Sequence, residues 1–340
     1  MSWWKKLTGY TLFWPLVALA LLLAFNLFFT PHFFRIEIKE GHFYGNLIDI
    51  LKNGAPIMLL AIGMTLVIAT KGIDLSVGSL VAISAGVVAM LLGGDLQGIP
   101  KHPLFVSMAI AVLVCVVAGM WNGMLVSRIG MQPIIATLIL YVAGRGIAMV
   151  TTNALVVWLY VKPFALLGQG YVFGLPFSLY MVAVLLLLTI LVTRRTALGL
   201  FIEAVGINPT AARFAGISAK NIILGVYAFS GFCAGVSGLI ACSTVMSADG
   251  NNLGVGFELD AILAVVLGGT SLNGGKFYLL GSIVGALIIE TLTVTIYAFN
   301  VPPQIAQVVK AMVVYIISLL QSPKFRSSVT QVFGRRELAA

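Results

Sequence analysis

Long apolar blocks follow one another along this chain of 340 residues, separated by short polar or glycine-rich punctuation. A block of about 17 to 25 apolar residues can cross a bilayer as a helix, and shorter blocks qualify where Gly or Pro interrupts a helix inside the membrane. Ten spanning helices are expected on this basis, over residues 11–30, 55–70, 76–93, 103–126, 133–152, 174–193, 221–243, 257–269, 277–298 and 303–321. The fold class is therefore an all-α polytopic membrane protein. Two blocks, 55–70 and 257–269, are too short to cross unaided, since 13 residues at about 1.5 Å each cover only about 20 Å of a core about 30 Å thick. Each runs into a glycine-rich break, Lys71-Gly-Ile-Asp-Leu-Ser-Val-Gly78 and Gly268-Gly-Thr-Ser-Leu-Asn-Gly-Gly275. Broken helices are how transporters expose backbone groups to a pathway. The breaks are followed by related strings, Val77-Gly-Ser-Leu-Val81 and Leu280-Gly-Ser-Ile-Val284, at an offset of 203 residues, which points to an internal duplication.

Composition excludes the soluble classes. Hydrophobic residues make up 60% of the chain and charged residues 9%, with a mean hydropathy of +1.07. Cys115, Cys233 and Cys242 lie in apolar runs without metal-ligand spacing, so they read as small packing residues and no metal site is legible. A net charge of +9 would raise nucleic acid as a partner in a soluble chain, but here apolar spans separate the basic residues. The positive-inside rule accounts for them better. With the N-terminus inside, thirteen Lys and Arg fall on the cytoplasmic side and five outside, leaving Arg145 and Lys310 within spans. Both termini are then cytoplasmic. The first apolar run is too long for a signal peptide and ends in bulky residues, so it reads as an uncleaved helix. The resulting organisation is a cytoplasmic N-terminus over 1–10, a transmembrane domain over 11–322 with an inner segment at 194–221, and a cytoplasmic basic tail over 323–340.

The inner segment is not a plain loop. Asn208 before Pro209 suits a helix N-cap with proline at N1, and Ala211, Ala212, Phe214 and Ala215, with Gly216 beyond them, describe a short capped semi-apolar helix. It suits docking of a soluble partner, or an amphipathic helix lying on the membrane lipid. The string Gly269 to Lys276 imitates a phosphate-binding loop, but the lysine comes one residue late and Phe277 replaces the Ser or Thr that would hold magnesium. The spacings Gly119/Gly123, Gly231/Gly235 and Gly281/Gly285 specify close helix packing. His32, His42 and His102 fall in outer loops, and no catalytic constellation stands within the spans, so neither enzyme chemistry nor a cofactor is expected. Arg145, Glu290 and Lys310 lie at a common depth of about 11 Å below the outer ends of their helices. They read as structural charges, with Glu290 and Lys310 paired across the short turn at Asn300 to Pro303, while Asp74, Glu258 and Asp260 read as helix caps. Thr65, Ser84, Asn122, Ser237 and Thr270 are the uncharged polar candidates for a translocation path.

Four long motifs now call for comparison: Gly72-Ile-Asp-Leu-Ser-Val-Gly78, Gln132-Pro-Ile-Ile-Ala-Thr137 with Gly144-Arg-Gly146, Glu203 to Ile217, and Leu259 to Gly275. In this order they resemble the ribose-type permease subunits of bacterial ABC sugar importers. Gly41 to Ile50 and Ala248 to Gly254 are most similar to galactofuranose permeases, whereas Lys71 and Glu290 depart from the family pattern. The resemblance implies a passive pore subunit in the bacterial inner membrane. It pairs with a second permease chain, ABC ATPase subunits and a periplasmic sugar-binding protein. Glu203, Gly206, Asn208, Ala212, Arg213 and Gly216 then belong to the ATPase-coupling segment, with bulk at Gly206 or Ala212 expected to uncouple it. An ion-coupled secondary transporter is the alternative, but Arg145 and Lys310 are poor members of a proton relay.

Overall fold

The computed structural model describes residues 12–39, 41–93 and 98–321. The expected cytoplasmic N-terminus at 1–10 and basic tail at 323–340 lie outside the described residues. A helix occupies each of the ten expected stretches: α1 Phe13–Phe29, α2 Asn46–Ala69, α3 Val77–Leu92, α4 Leu104–Met124, α5 Pro133–Thr151, α7 Phe177–Arg195, α10 Ala219–Val245, α11 Phe257–Leu267, α12 Leu279–Ala298 and α13 Pro303–Gln321. Three helices outside those stretches complete the described set, α6 Lys162–Gln169, α8 Leu198–Ile207 and α9 Pro209–Phe214. Among the described residues, six segments are long and apolar enough to cross a membrane singly: α2, α4 with its π-helical extension to Ile129, α5, α7, α10 and α12. The protein is thus a mostly helical, multi-pass membrane protein.

Helix α2 forms the axis. Every residue from Gly54 to Thr70 is buried, against α10, α12, α11 and α7. The expectation that this helix is short is corrected. It runs 24 residues without a break, because Asp49, Lys52 and Asn53 are carried by its first two turns and Pro56 is accommodated within it. The expectation for 257–269 stands, since α11 has only 11 residues.

Small residues set the closest packing. A Cβ on Gly231 of α10 would collide with the Cys115 carbonyl, and one on Gly119 of α4 would come 3.1 Å from the Gly231 Cα. Gly281 and Gly285 likewise pack α12 directly on the backbone of α11 at Gly268 and Ala264. Among the described residues three two-stranded pairs decorate the connections, Glu37–Lys39 with His42–Tyr44, Val157–Trp158 with Ser247–Ala248, and Tyr171–Val172 with Leu175–Pro176.

The duplicated pattern has a structural counterpart at the two helix ends. After α2, Lys71 N donates to the Ile68 carbonyl and Gly72 N to the Val67 carbonyl. After α11, Gly269 N donates to Val266 and Thr270 N to Val265, the same pair of bonds. Both caps need a left-handed residue, filled by Gly269 at φ 90° in one and by Lys71 at φ 62° in the other.

Candidate functional site

Two chain segments climb back into the helix bundle. The first, from Thr70 to Ser76, carries Asp74 to Ser230 of α10, whose hydroxyl donates to Asp74 Oδ2 at 2.8 Å. Ser230 lies near the middle of α10, about 16 Å along it from Ala219 at about 1.5 Å per residue. The second segment, Asp249 to Gly256, descends beside α5. Arg145 of α5 holds it by donating from Nη1 to the carbonyls of Leu253, at 2.7 Å, and Gly250, at 3.2 Å. It delivers Gly254 and Glu258 against Gly78, the second residue of α3. The N-termini of α3 and α11 therefore meet inside the protein. Both present the positive ends of their dipoles, which favours the Glu258 carboxylate and any hydroxyl oxygen brought there.

Asp74 is fully buried without a cation in hydrogen-bonding reach, and its cost is offset by donors. Ser76 N at 3.0 Å and Ser76 Oγ at 2.6 Å donate to Oδ1, and Ser230 donates to Oδ2. Asn122 of α4 extends the network by donating from Nδ2 to Ser76 Oγ at 2.9 Å. Around this junction Asn122 Oδ1, Arg145 Nη2 and Glu258 Oε2 are buried with no hydrogen-bond partner among the described residues, and Glu258 is only 6% exposed. Such groups are rare in native interiors and call for an explanation. Reading Asp74 and Glu258 as simple helix caps missed this. The legible signal was the length of α11, too short to start at the outer surface.

The other polar candidates are placed differently. Thr65 Oγ1 lies 2.7 Å from Ser282 Oγ, Ser84 donates to the Gly235 carbonyl at 2.7 Å and Ser237 to the Pro56 carbonyl at 3.1 Å. Thr270 accepts from Tyr278 N at 3.1 Å. Each ties two segments together and all are buried, as is Asn122.

The expected layer of three charges is not formed. Arg145 clamps the descending segment, and Lys310 Nζ bonds to Asp260 Oδ2 at 2.7 Å instead of to Glu290. The short turn does make α12 and α13 neighbours, but α13 also packs on α11. There Asp260 reaches the amine first, because α11 begins within the bundle and carries its fourth residue at the depth of Lys310. Glu290 packs against Gly54 of α2, where an added Cβ would come 3.3 Å from Glu290 Cγ, and feels the Lys310 charge without bonding to it. Lys310→Met is expected to lower folded yield by stranding Asp260, at about 1.5–3 kcal/mol for a charged hydrogen bond. Asp260→Asn in the same chain should restore it and Glu290→Gln should not. Rescue by Glu290→Gln in a detergent melting assay would reinstate the original pairing.

On the face carrying the arginines of α7, the inner segment is fastened to both helix breaks. Gly275 N donates to the Ala69 carbonyl at 2.8 Å, and Lys71 Nζ donates to the Ile207 carbonyl at 3.0 Å. Gly206 lies over that junction, where a Cβ would collide with the Ala69 carbonyl and come 2.6 Å from Gly275 N. Asn208 caps α9 by accepting from Thr210 N at 3.0 Å and Ala211 N at 3.1 Å. Gly216, at φ 82°, closes it. Ala212 faces inward at 4% exposure, whereas Phe214 is 87% exposed, Arg213 is exposed and Glu203 is half-buried. Gly206 and Ala212 are therefore packing positions, and bulk there would disturb the fold before it disturbed a partner.

The family described as branched-chain amino acid transport system / permease component matches residues 46–318. The chain belongs to this permease family. The permease is 45% identical over 328 residues to the galactofuranose transporter permease protein YtfT of Escherichia coli (strain K12), covering 95% of this chain and 94% of that one. It is 39% identical over 342 residues to the fructose import permease protein FruF of Bifidobacterium longum (strain NCC 2705), covering 99% and 94%. Against the ribose import permease protein RbsC of Haemophilus influenzae (strain ATCC 51907 / DSM 11121 / KW20 / Rd) it is 33% identical over 307 residues, covering 89% and 90%. No solved structure matches the permease. Like these relatives, it is a permease and not an enzyme.

Proposed function

We propose that this permease is the transmembrane subunit of an ATP-driven ABC importer of the bacterial inner membrane, which moves galactofuranose from the periplasm to the cytoplasm. The observation that carries the sugar is the gradient of identity, 45% to the galactofuranose permease against 39% and 33% to fructose and ribose permeases over nearly the whole chain. The site chemistry fits an uncharged polyol. Asn122 Oδ1, Arg145 Nη2 and Glu258 Oε2 are buried polar atoms near two helix N-termini that have no hydrogen-bond partner among the described residues, and a small ligand is oriented by a few polar groups of this kind. On this reading the chain crosses the membrane ten times with both termini inside, and a second permease chain completes the pathway. An ABC ATPase docks on the 194–221 segment, and a periplasmic sugar-binding protein delivers the substrate.

Vesicles reconstituted with the permease test this directly. Uptake of galactofuranose should require ATP, the ATPase and the binding protein together, and should exceed uptake of ribose and fructose. Uptake driven by a proton or sodium gradient without the ATPase would sink the reading in favour of an ion-coupled carrier. ATP-dependent uptake with ribose or fructose preferred would overturn only the choice of sugar.

A further inference from the structure

The half of α7 nearest its arginines, the first turns of α10 and one face of α8 enclose a cleft of about 440 Å³ that the transport site does not use. Its size is within the range of about 300–1,000 Å³ typical of small-molecule sites. The walls are apolar, with Leu188 and Val192 from α7, Leu198 and Ile202 from α8 and Phe229 from α10. Thr189 and Thr193 also line the cleft but spend their hydroxyls on the Leu185 and Thr189 carbonyls of their own helix, which leaves a hydroxylated sugar little to bond. Leu188, Val192 and Leu198 are exposed at its lips, in the surface of a helix bundle that faces bilayer. At Gly225, which also lines the cleft, an added Cβ would meet nothing within 4 Å, so the space is open there.

Two exposed basic residues, Arg195 and Lys220, follow and precede lining residues at the polar end of the cleft. On α7 the stripe Leu188, Val192 continues at the next turn to Arg195, which is exposed, whereas Arg194 falls on the opposite face beside Ile190 and Tyr278. Asn221 closes the end of the cleft on α10, and the exposed Lys220 stands next to it in the first turn, where the helix dipole also favours an anion. From residue 194 to 221 the chain carries Arg194, Arg195, Arg213 and Lys220 against the single acid Glu203.

We propose that this cleft binds an anionic phospholipid, with one acyl chain in the apolar groove and the phosphate held by Arg195 and Lys220. An acyl chain is the apolar filler available at that depth, and a basic pocket between helices at a bilayer surface suits an acidic headgroup. Leu198 and Ile202 belong to α8, whose far end fastens Gly206 and Ile207 to the junction of Ala69 and Gly275. The lipid therefore props the element that joins the inner segment to both helix breaks. The site requires only that the arginine end of α7 lies at a bilayer surface, so it stands independently of which sugar is carried.

The test uses the full chain in nanodiscs of mixed phosphatidylcholine and phosphatidylglycerol, with retained lipid counted by native mass spectrometry after release. One phosphatidylglycerol is expected to stay bound. Gly225→Leu fills the open space and should abolish retention. Arg195→Gln should keep a lipid but lower the preference for phosphatidylglycerol by about fivefold, as expected for one cation near a headgroup. Wild-type retention in Gly225→Leu, or unchanged preference in Arg195→Gln, would overturn the proposal. Loss of a dimer in Gly225→Leu with lipid retained would assign the cleft to a second copy of the chain and also overturn it. Because Arg195 is a surface residue, its variant decides the matter even where Gly225→Leu does not fold.

Discussion

Phe214→Glu is expected to leave the permease folded and inserted yet unable to retain its ATPase. Phe214 is almost wholly exposed at the end of a helix that is rigidly capped by Asn208 and closed by Gly216, so it projects from a fixed base instead of a mobile loop. A large aromatic side chain held out this way is the common form of an interface anchor, and truncating one costs about 2 kcal/mol or more, roughly a thirtyfold loss of affinity. A carboxylate in its place adds the desolvation of a charge. Copurification of the ATPase and ATP-dependent uptake should fall together while the melting temperature in detergent stays unchanged. Gly206→Leu provides the contrast. It would force apart the backbone contact between Ala69 and Gly275 and should lower the melting temperature itself. Wild-type ATPase retention by Phe214→Glu would show that the partner docks elsewhere.

Asp74→Ala should be the most destabilising single change in the interior. It strands three buried donors, the amide and hydroxyl of Ser76 and the hydroxyl of Ser230, and each buried unsatisfied group costs about 1–3 kcal/mol. It also unpins the segment that re-enters the bundle between α2 and α3. Asp74→Asn preserves the shape and one acceptor oxygen, so its cost should be the smaller, about that of a single lost bond. Thermal melting of the purified permease should rank the wild type above Asp74→Asn and Asp74→Ala lowest. Equal midpoints for the alanine variant and the wild type would mean that this carboxylate does not hold the segment in place.

Much of the architecture was legible in residue order, because a bilayer allows few solutions for an apolar stretch of given length. Helices stand over every stretch expected from length and hydropathy, the small-residue spacings of α4, α10 and α12 are contacts of backbone on backbone, and the cap at Asn208 forms as its neighbours dictate. These features depend on residues within a few positions of one another. What the order of residues left undecided was how deep each segment lies and which partner each charge finds. Asp74, Glu258 and Asp260 read as helix caps in the chain, and Glu290 reads as the partner of Lys310. Folding places the starts of α3 and α11 inside the bundle and brings Asp260 under the amine. Depth is decided by the packing of the whole helix set around α2, and a charge in a medium of low polarity takes whichever partner that packing brings within reach.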